Sequence, residues 1–344
     1  MEVLSIEQIR SWPKAELHLH LDGSLRPSTM IALAKEQGKL DAMPAQDPES
    51  LATAIRGIDK AGSLEAYLAW FKVTLVLMQT REALIRVASE LVEDAAAENV
   101  RYLEVRFCPL LHVNEGLTLE AVMTSVLTGL REAGARHGVQ ANLIVCALRG
   151  KHARESLHLA QLAVAHRNDG VVAFDLAGPE AGHPAKEHLE AFSHARRNLL
   201  ALTIHAGESW GPTSVRQALL VCGAHRIGHG IATVDDAELL DYVVRHQVPL
   251  EVCPTSNVQT QVAPDYARHP ISRLVNAGAF VTVNTDSRLF SSWTVSSELL
   301  RTHTECGLTA DQVRTCVANG FRAAFIDPDQ KRSYLQELEE AIQA

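Results

Sequence analysis

The stretch that decides the fold is "AELHLHLDGS" (15–24), which has the pattern of an apolar strand followed directly by polar residues. Side chains on a strand alternate between its two faces, so His18 and His20 are predicted to point the same way. Asp22 and Gly23 follow at the point where the strand would end. The pattern therefore places two imidazoles on one face of a strand, close to a carboxylate.

Seven more short apolar runs follow along the chain, separated by longer segments. Several runs are almost continuously apolar, which is typical of parallel strands buried on both faces. The sixth run is weak as a strand and is assigned mainly from its place in the order. We predict eight strands, at 15–21, 100–107, 139–148, 171–178, 199–207, 225–230, 248–256 and 279–287.

The segments between the runs have helical patterns. Residues 80–98 carry apolar side chains at helical spacing, and 235–247 opens with acidic residues, which suit a helix N-terminus. Repeated strand–helix units indicate a parallel sheet, and eight of them predict an α/β protein with a (β/α)8 TIM barrel. A doubly wound open sheet is the alternative. That fold usually has a glycine-rich phosphate turn after its first strand, where this chain has His18, His20 and Asp22.

The connection after the first strand, at 24–99, is too long for a single crossover. We expect it to contain extra helices that form a lid over the barrel mouth. The chain shows no linker, low-complexity tract or repeat of a packed unit. We therefore expect residues 1–344 to form one domain.

Composition narrows the possible partners and the compartment. The net charge is −9, from 32 basic and 41 acidic residues, and no stretch is strongly basic, so nucleic acid and anionic membranes are poor candidates. The six cysteines form no CxxC pair and lie mostly in apolar runs, which is typical of reduced thiols. Residues 1–14 lack the pattern of a signal peptide, and no apolar run is long enough to span a bilayer. We expect a cytoplasmic protein; the sequence does not give its oligomeric state.

Polar residues collect at the predicted C-terminal ends of six strands, which is where barrel enzymes build their sites. A purely structural core would not concentrate them there. The residues are His18, His20 and Asp22 in strand 1, Asp175 and Gly178 in strand 4, His205 and Glu208 in strand 5, His229 in strand 6, "CPTSN" (253–257) in strand 7 and Asp286 in strand 8.

These residue types suit a catalytic zinc site, which takes about four ligands from His, Cys and carboxylate groups. His18 and His20 supply two close nitrogens, while His205 and Asp286 offer a third and a fourth ligand from distant strands. Bound zinc lowers the pKa of water to about 7 and so provides a nucleophile at neutral pH. Glu208 follows His205 by three residues and is a candidate proton shuttle. His229 is a candidate to orient the attacking water or to stabilise an oxyanion.

Each of these residues also has an ordinary structural interpretation. The chain has 16 histidines, so pairs arise by chance, and most of those outside the strand ends are expected to be solvated. Glu208 alone fits the acidic start of a helix, Asp286 a cap or turn, and 253–257 a turn. Their joint placement at successive strand ends favours the site.

Six motifs carry a family resemblance. They occur in the same order and with similar gaps as in the adenosine deaminase family, from about residue 12 to residue 330. The motifs are "PKAELHLHLDGS" (13–24), "DLAGPE" (175–180), "TIHAGE" (203–208), "RIGHG" (226–230), "EVCPTSN" (251–257) and "VTVNTDS" (281–287). The resemblance implies a (β/α)8 barrel with one zinc ion per chain. It also implies deamination of adenosine or 2′-deoxyadenosine to the inosine product and ammonia.

The resemblance also implies roles for individual residues. The zinc ligands would be His18, His20, His205 and Asp286. Glu208 would protonate purine N1, and His229 and Asp286 would hold and deprotonate the attacking water. Related amidohydrolases with two metals use a lysine at the end of strand 4. Here that strand ends "FDLAG" (174–178), which favours a single metal.

Substrate contacts are implied in the same way. Family members specific for nucleosides use the position of Asp22 to contact the ribose, whereas those acting on free adenine tend to have Glu there and those acting on methylated nucleotide tend to have Asn. The Gly178 backbone would contact purine N3, and His20 would also face the aminopurine. The base would be covered by four residues for which ordinary helix packing is the alternative, namely Leu64, Tyr67, Leu68 and Phe71.

One motif departs from the family pattern. Many members have a second Asp after the zinc-binding Asp, and that residue contacts purine N7; this chain has Ser287. A serine hydroxyl can donate to N7 but is shorter than Asp. Another aminopurine therefore remains an alternative substrate: adenine, a modified adenosine or an aminofutalosine-like nucleoside. A barrel that only binds or signals is a further alternative, disfavoured because every expected metal-binding and proton-transfer residue is present.

Overall fold

The computed structural model describes residues 2–60 and 62–343. Its eight strands all pair in parallel and follow one another around the sheet in chain order. The strands are β1 (Lys14–His20), β2 (Val100–Phe107), β3 (Gln140–Leu148), β4 (Val171–Ala177), β5 (Ala201–Ala206), β6 (Arg226–His229), β7 (Leu250–Val252) and β8 (Val281–Val283). Each of the eight predicted strands is present, and the (β/α)8 barrel is confirmed.

The barrel closes just beyond the end of β8. Leu19 on β1 forms a parallel bridge with Asp286. The Asp286 N–H donates to the His18 carbonyl at 3.0 Å, and the His20 N–H donates to the Asp286 carbonyl at 2.7 Å. Asp286 has a left-handed φ of 62°, which a non-glycine residue adopts only when its surroundings hold it there. Closure of the barrel therefore also fixes Asp286 beside the two histidines of β1.

Helices fill every connection between the strands. The predicted helices at 80–98 and 235–247 are α6 and α11. The helices are α1 (Ile6–Ser11), α2 (Pro27–Glu36), α3 (Pro48–Ile55), α4 (Leu64–Leu68), α5 (Phe71–Leu75), α6 (Arg81–Ala97), α7 (Leu119–His137), α8 (Ala153–Ala165), α9 (Leu189–Arg197), α10 (Gly211–Arg216), α11 (Ala237–Arg245), α12 (Pro254–Gln259), α13 (Ile271–Asn276), α14 (Arg288–Ser291), α15 (Val295–Thr304), α16 (Ala310–Ala323) and α17 (Pro328–Gln343).

Helix α6 shows how the sequence sets these elements. Thr80 caps it, because the Thr80 hydroxyl accepts from the Ala83 N–H at 3.2 Å. Its buried side chains include Leu84, Val87 and Leu91, which recur at helical spacing. The helix therefore lays one apolar face against its neighbours.

The long connection between β1 and β2 contains α2 to α6. Its two shortest helices, α4 and α5, lie against the segment that follows β8. The ring of Phe290 in α14 lies 5.7 Å from the ring of Tyr67 and 4.8 Å from that of Phe71, centroid to centroid. The insertion thus reaches across the mouth of the barrel.

Two other features bear on the sequence expectations. All six cysteines are buried and free of disulfides. Within residues 2–60 and 62–343, no helix is both long enough and apolar enough to cross a membrane.

Candidate active site

Four side chains that the sequence predicts as metal ligands converge at the C-terminal end of the barrel. His20 Nε2 lies 3.2 Å from His205 Nε2 and 3.4 Å from Asp286 Oδ1, and His18 Nε2 lies 3.6 Å from the same oxygen. With Zn–N distances of about 2.0–2.1 Å, tetrahedral ligand atoms lie about 3.3–3.4 Å from one another. The spacing therefore fits a zinc-sized cation.

The protonation of these histidines also fits a metal. His18 Nε2 is buried and has no hydrogen-bond partner in the described part of the chain. Burial and neighbouring positive charges lower the pKa of both His18 and His20 well below the usual value. A neutral imidazole with a free nitrogen is the form that binds a metal.

Buried carboxylates orient two of the histidines. His18 Nδ1 donates to Glu251 Oε2 at 2.9 Å, and His205 Nδ1 donates to Asp175 Oδ2 at 3.0 Å. With the proton on Nδ1, each Nε2 is left to face the centre of the site, which is the usual arrangement around a metal. The sequence placed Asp175 at a strand end but gave it no role, and it missed Glu251.

Arg106 on β2 joins these two carboxylates inside the barrel. Its guanidinium donates to Asp175 at 2.9 Å and to Glu251 at 2.7 Å. Burial would raise the pKa of Glu251, but Arg106 and Arg226 lower it to about 2. Against the same effect of burial, His205 and Arg106 hold the pKa of Asp175 well below its usual value. Both carboxylates are therefore ionised where they contact the histidines.

Glu208 lies beyond the end of β5 in a different environment. Burial raises the pKa of its carboxyl group well above the usual value, and the nearby charge of Asp286 adds to the rise. The raised pKa favours the protonated form of Glu208, which is the form that a general acid needs. Glu180 fixes the loop, because its carboxylate accepts from the backbone N–H groups of Gly207, Glu208, Ser209 and Trp210 at 2.5–3.1 Å. The sequence gave no signal for this contact.

His229 at the end of β6 faces Glu208, with 3.7 Å between His229 Nε2 and Glu208 Oε2. A chain of hydrogen bonds sets its tautomer. The Ile271 N–H donates to His269 Nδ1 at 3.1 Å, so His269 Nε2 carries a proton and donates to Asn257 Oδ1 at 3.2 Å. The Asn257 amide then donates to His229 Nδ1 at 3.1 Å, which leaves the proton of His229 on Nε2, facing Glu208.

The expected exposure of the remaining histidines is wrong in several cases. His112, His166, His188 and His269 are all buried. Each has a hydrogen-bond partner at Nδ1, and such pairing is what allows an imidazole to be buried. Helical and loop patterns alone do not reveal these partners.

A cavity of about 310 Å³ opens above the ligand cluster. Most of the predicted site residues line it, and His18 lies beneath its floor. The predicted residues on its wall are His20, Asp22, Leu64, Tyr67, Leu68, Phe71, Gly178, His205, Glu208, His229 and Asp286. Several other residues on the wall had no predicted role, namely Leu75, Cys108, Leu111, Cys146, Leu148, Arg149, Lys151, Ala177, Pro179 and Ser256.

Asp22 and Gly178 lie on this wall for different reasons. Asp22 is buried, its Oδ1 has no partner among the described residues, and burial raises its pKa to about 7. Gly178 has a φ of 96°, a conformation that strains any other residue. The glycine thus lets the backbone itself form the wall.

Ser287, predicted to contact the substrate, is not on the cavity wall. It is fully buried, and its hydroxyl lies so close to Gly23 that a Cβ at Gly23 would be 2.4 Å from Ser287 Oγ. The serine side chain is short, and α14 begins directly after it. Its contact with a substrate stays a prediction that the placement of the side chain does not support.

The chain matches the model of one protein family, described as adenosine deaminase, over residues 13–341. It is 43% identical to the adenosine deaminase of Mycolicibacterium vanbaalenii and 43% identical to that of Mycobacterium leprae. Each alignment covers 97% of this chain and 96% of the relative.

Solved structures of similar proteins share the fold. The adenine deaminase of Arthrobacter aurescens aligns with a TM-score of 0.90 and 28% identity, over 97% of this chain and all of that one. The N6-methyl-AMP deaminase of Arabidopsis thaliana gives 0.84 and 28%, over 98% and 99%. An amidohydrolase from Burkholderia ambifaria, solved with bound zinc, gives 0.84 and 26%, over 100% and 95%.

Proposed function

The chain belongs to the adenosine deaminase family, and from that premise we propose that it deaminates adenosine or 2′-deoxyadenosine hydrolytically, with one zinc ion per chain. The products are inosine or 2′-deoxyinosine and ammonia. The observation that carries the proposal is the cluster of four potential ligand atoms at the cavity that the buried Glu208 also lines. We also propose that residues 1–344 form one domain, since the family match spans 13–341.

Zinc would be held by His18, His20, His205 and Asp286. The free Nε2 of His18 and the spacing of the other ligand atoms support this assignment. A zinc ion there would supply a nucleophilic water at neutral pH. Cys253 lies within reach of His18 and Asp286, but burial raises the pKa of its thiol well above the usual value. We therefore leave Cys253 out of the ligand set.

The protein's own groups handle the protons. Glu208 donates a proton to N1 of the purine as water adds to C6, so the ring nitrogen does not have to carry the developing negative charge. Asp286 accepts a proton from the attacking water. His229 carries its own proton on Nε2, so it holds the water oxygen by donating a hydrogen bond. The proton taken up by Asp286 then passes to the amino group, the C6–N bond breaks and ammonia leaves, while the C6 hydroxyl gives a proton back to Glu208 as the C6 carbonyl forms.

The cavity would hold the nucleoside in one orientation. The Gly178 backbone faces N3, and Asp22 offers to the ribose hydroxyls an oxygen that has no hydrogen-bond partner among the described residues. Leu64, Leu68 and Phe71 cover the base from the lid side, and His20 bounds the cavity near the ligands. Ribose recognition by Asp22 favours a nucleoside over free adenine.

Another aminopurine is the second candidate. Similar structures include an adenine deaminase and an N6-methyl-AMP deaminase, and Ser287 lies behind the wall where a substrate contact was predicted. Asp22 distinguishes the two candidates. In the proposed function, Asp22→Ala raises the KM for adenosine far more than the KM for adenine; equal increases would remove the ribose contact.

The direct test is ammonia release from a panel of aminopurines, together with metal content by elemental analysis. We expect release from adenosine and 2′-deoxyadenosine with about one zinc per chain. If the protein contains zinc but releases no ammonia from either nucleoside, the metal site stands and the proposed substrate is rejected. Activity without stoichiometric metal would reject the zinc assignment.

A further inference from the structure

Two buried hydroxyl groups lie close together at the lid side of the cavity. One is the phenol of Tyr67 on α4, and the other is the hydroxyl of Ser287 after β8. Within the described residues, neither makes a hydrogen bond of ordinary length and angle. Buried hydroxyls without partners cost free energy, so a pair of them at a binding cavity indicates a partner supplied by a ligand.

Only one of the two residues borders the cavity in which such a ligand would bind. Tyr67 lines the cavity, whereas Ser287 is fully buried behind it against Gly23. Burial raises the pKa of Tyr67 well above its usual value, and the nearby Ser287 hydroxyl opposes the rise. The phenol therefore keeps its proton, and Ser287 is close enough to donate to the phenol oxygen.

The phenol ring is held in place from two sides. Its centroid lies 6.2 Å from that of Phe71 and 5.7 Å from that of Phe290, both with edge-to-face geometry. Such aromatic contacts restrict the ring without involving its hydroxyl. The ring of Tyr67, which carries the hydroxyl, is thus held at a fixed place on the wall.

We propose that the Tyr67 hydroxyl donates a hydrogen bond to N7 of the bound purine, with Ser287 behind it as donor to the phenol oxygen. This inference rests on the proposed function. With N1 at Glu208 beyond β5 and N3 at Gly178 beyond β4, the five-membered ring faces the opposite wall, formed by β8 and the lid. N7 of adenosine has no proton, so it accepts the hydrogen bond that a phenol can donate. The lid residue, rather than the residue after Asp286, then reads this edge of the base.

The test compares two ligands that differ only at the proposed acceptor. Purine riboside has N7, and 7-deazapurine riboside has a C–H group in its place; neither has an amino group to release, so binding is measured without turnover. Tyr67→Phe keeps the ring contacts and removes only the hydroxyl. We expect Tyr67→Phe to raise the dissociation constant of purine riboside by about 5- to 10-fold, as for loss of one hydrogen bond. The dissociation constant of the 7-deaza ligand should stay unchanged.

Two further variants separate this contact from packing and from Ser287. Leu64→Ala, which removes lid packing, is expected to raise the dissociation constants of both ligands by the same factor. Ser287→Ala is expected to raise the dissociation constant of purine riboside by only about 2-fold, because it removes a hydrogen bond to the phenol rather than to the base. Equal weakening of both ligands by Tyr67→Phe would overturn the proposal. A larger effect of Ser287→Ala than of Tyr67→Phe would assign the donor to the serine and overturn it as well.

Turnover of adenosine by the wild type keeps this inference distinct from the proposed function. Binding that depends on N7 and on Tyr67, without ammonia from adenosine, would retain the contact and reject the adenosine reaction. Ammonia release with no effect of Tyr67→Phe on either ligand would reject only the contact. Failure of the wild type to bind purine riboside would overturn the contact too.

Discussion

Two groups of buried carboxylates lie in one barrel, and their pKa values move in opposite directions. Inside the barrel, Glu251 contacts Arg106 and Arg226, and its pKa is about 2. At the mouth, Asp22 has no cationic partner in the described structure, and burial raises its pKa to about 7. Burial is complete or nearly so in both places. The ionisation of a buried carboxyl group is therefore decided by its partner rather than by its depth.

The two groups also differ in what they do. The inner carboxylates, Asp175 and Glu251, are paired and charged, and they accept hydrogen bonds from the histidines that we assign to the metal. Glu208 at the mouth forms no ion pair with an arginine or lysine in the described structure, burial raises its pKa, and it faces the cavity. Paired charges thus orient the site, while unpaired acids are available for reaction with a substrate.

A third case limits this reading. Glu298 on α15 is fully buried, and burial raises its pKa to about 7. It accepts from the Thr255 N–H at 2.6 Å and contacts the Thr255 hydroxyl at 2.7 Å, and it is not on the cavity wall. A raised pKa therefore does not by itself mark a reactive group; the cavity is the second requirement.

The largest expected effect comes from Glu208→Gln. The amide cannot donate an acidic proton to N1, so we expect kcat to fall by at least about 1000-fold, within the range of general acid catalysis. Metal content should stay unchanged, since Glu208 is outside the ligand set. Steady-state assays of ammonia release and elemental analysis measure the two quantities.

Glu187→Gln is the matched control, because Glu187 is exposed on the loop after β4. It should retain wild-type turnover. Near-normal turnover of Glu208→Gln with zinc bound would show that Glu208 is not the proton donor. The acids at the mouth would then not differ from the inner carboxylates in what they do.

The sequence revealed the mouth of the barrel better than its interior. Parallel strands buried on both faces leave long apolar runs, so a histidine or an aspartate at the end of a run stands out. His18, His20, His205, Glu208 and Asp286 could be found in this way. The eight strands followed from the same contrast.

The inner network could not be assembled from the sequence, because its members meet across the barrel. Arg106 on β2 bonds Glu251 on β7, 145 positions away. The available signal was the presence of charged residues inside largely apolar runs, where unpaired charges would be costly, namely Glu104 and Arg106 in 100–107 and Glu251 in 248–256. That signal identifies buried ions but not which of them pair. The chain from His269 through Asn257 to His229 likewise depends on side-chain geometry that only the fold supplies.

Arg106→Met tests whether the inner carboxylates depend on their cation. The substitution leaves Asp175 and Glu251 buried with fewer positive partners, which typically costs about 3–5 kcal/mol of unfolding free energy. Arg101→Met is the control on the same strand, because the ion pair of Arg101 with Glu337 is partly exposed and worth about 0–1 kcal/mol. Urea unfolding of both variants measures the difference. Equal destabilisation would show that the inner network is no stronger than a surface pair.

Glu298→Gln tests a raised pKa away from the cavity. The folded-state pKa of about 7 lies above the usual value, so the folded protein binds the proton more tightly than the unfolded chain does. Stability from this group is thus full at low pH and is lost as the pH rises through about 7. The amide does not ionise. The unfolding free energy of the variant should therefore rise relative to that of the wild type by up to roughly 3 kcal/mol between pH 5 and pH 8.

Melting temperatures of both proteins at the two pH values test this expectation. Glu305→Gln, just after the same helix, is the control for the loss of one exposed carboxyl group. A constant difference for Glu298→Gln would mean that the carboxyl group is ionised throughout.

The smallest expected effect is that of Asp175→Asn, on metal affinity. Asp175 accepts the Nδ1 proton of His205 at 3.0 Å and a hydrogen bond from Arg106 at 2.9 Å. An asparagine that kept its carbonyl toward Arg106 would turn its amide to His205, and the imidazole would then carry its proton on Nε2, the atom needed for the metal. Loss of such a partner typically lowers metal affinity by about 10- to 100-fold. Competition with a chelator measures the zinc dissociation constant. Asp169→Asn is the control, because Asp169 pairs with His166, a histidine outside the ligand set. Unchanged zinc affinity in Asp175→Asn would show that the ligands hold their orientation without the inner carboxylates. The charge of the inner carboxylates would then have no role in positioning the metal ligands.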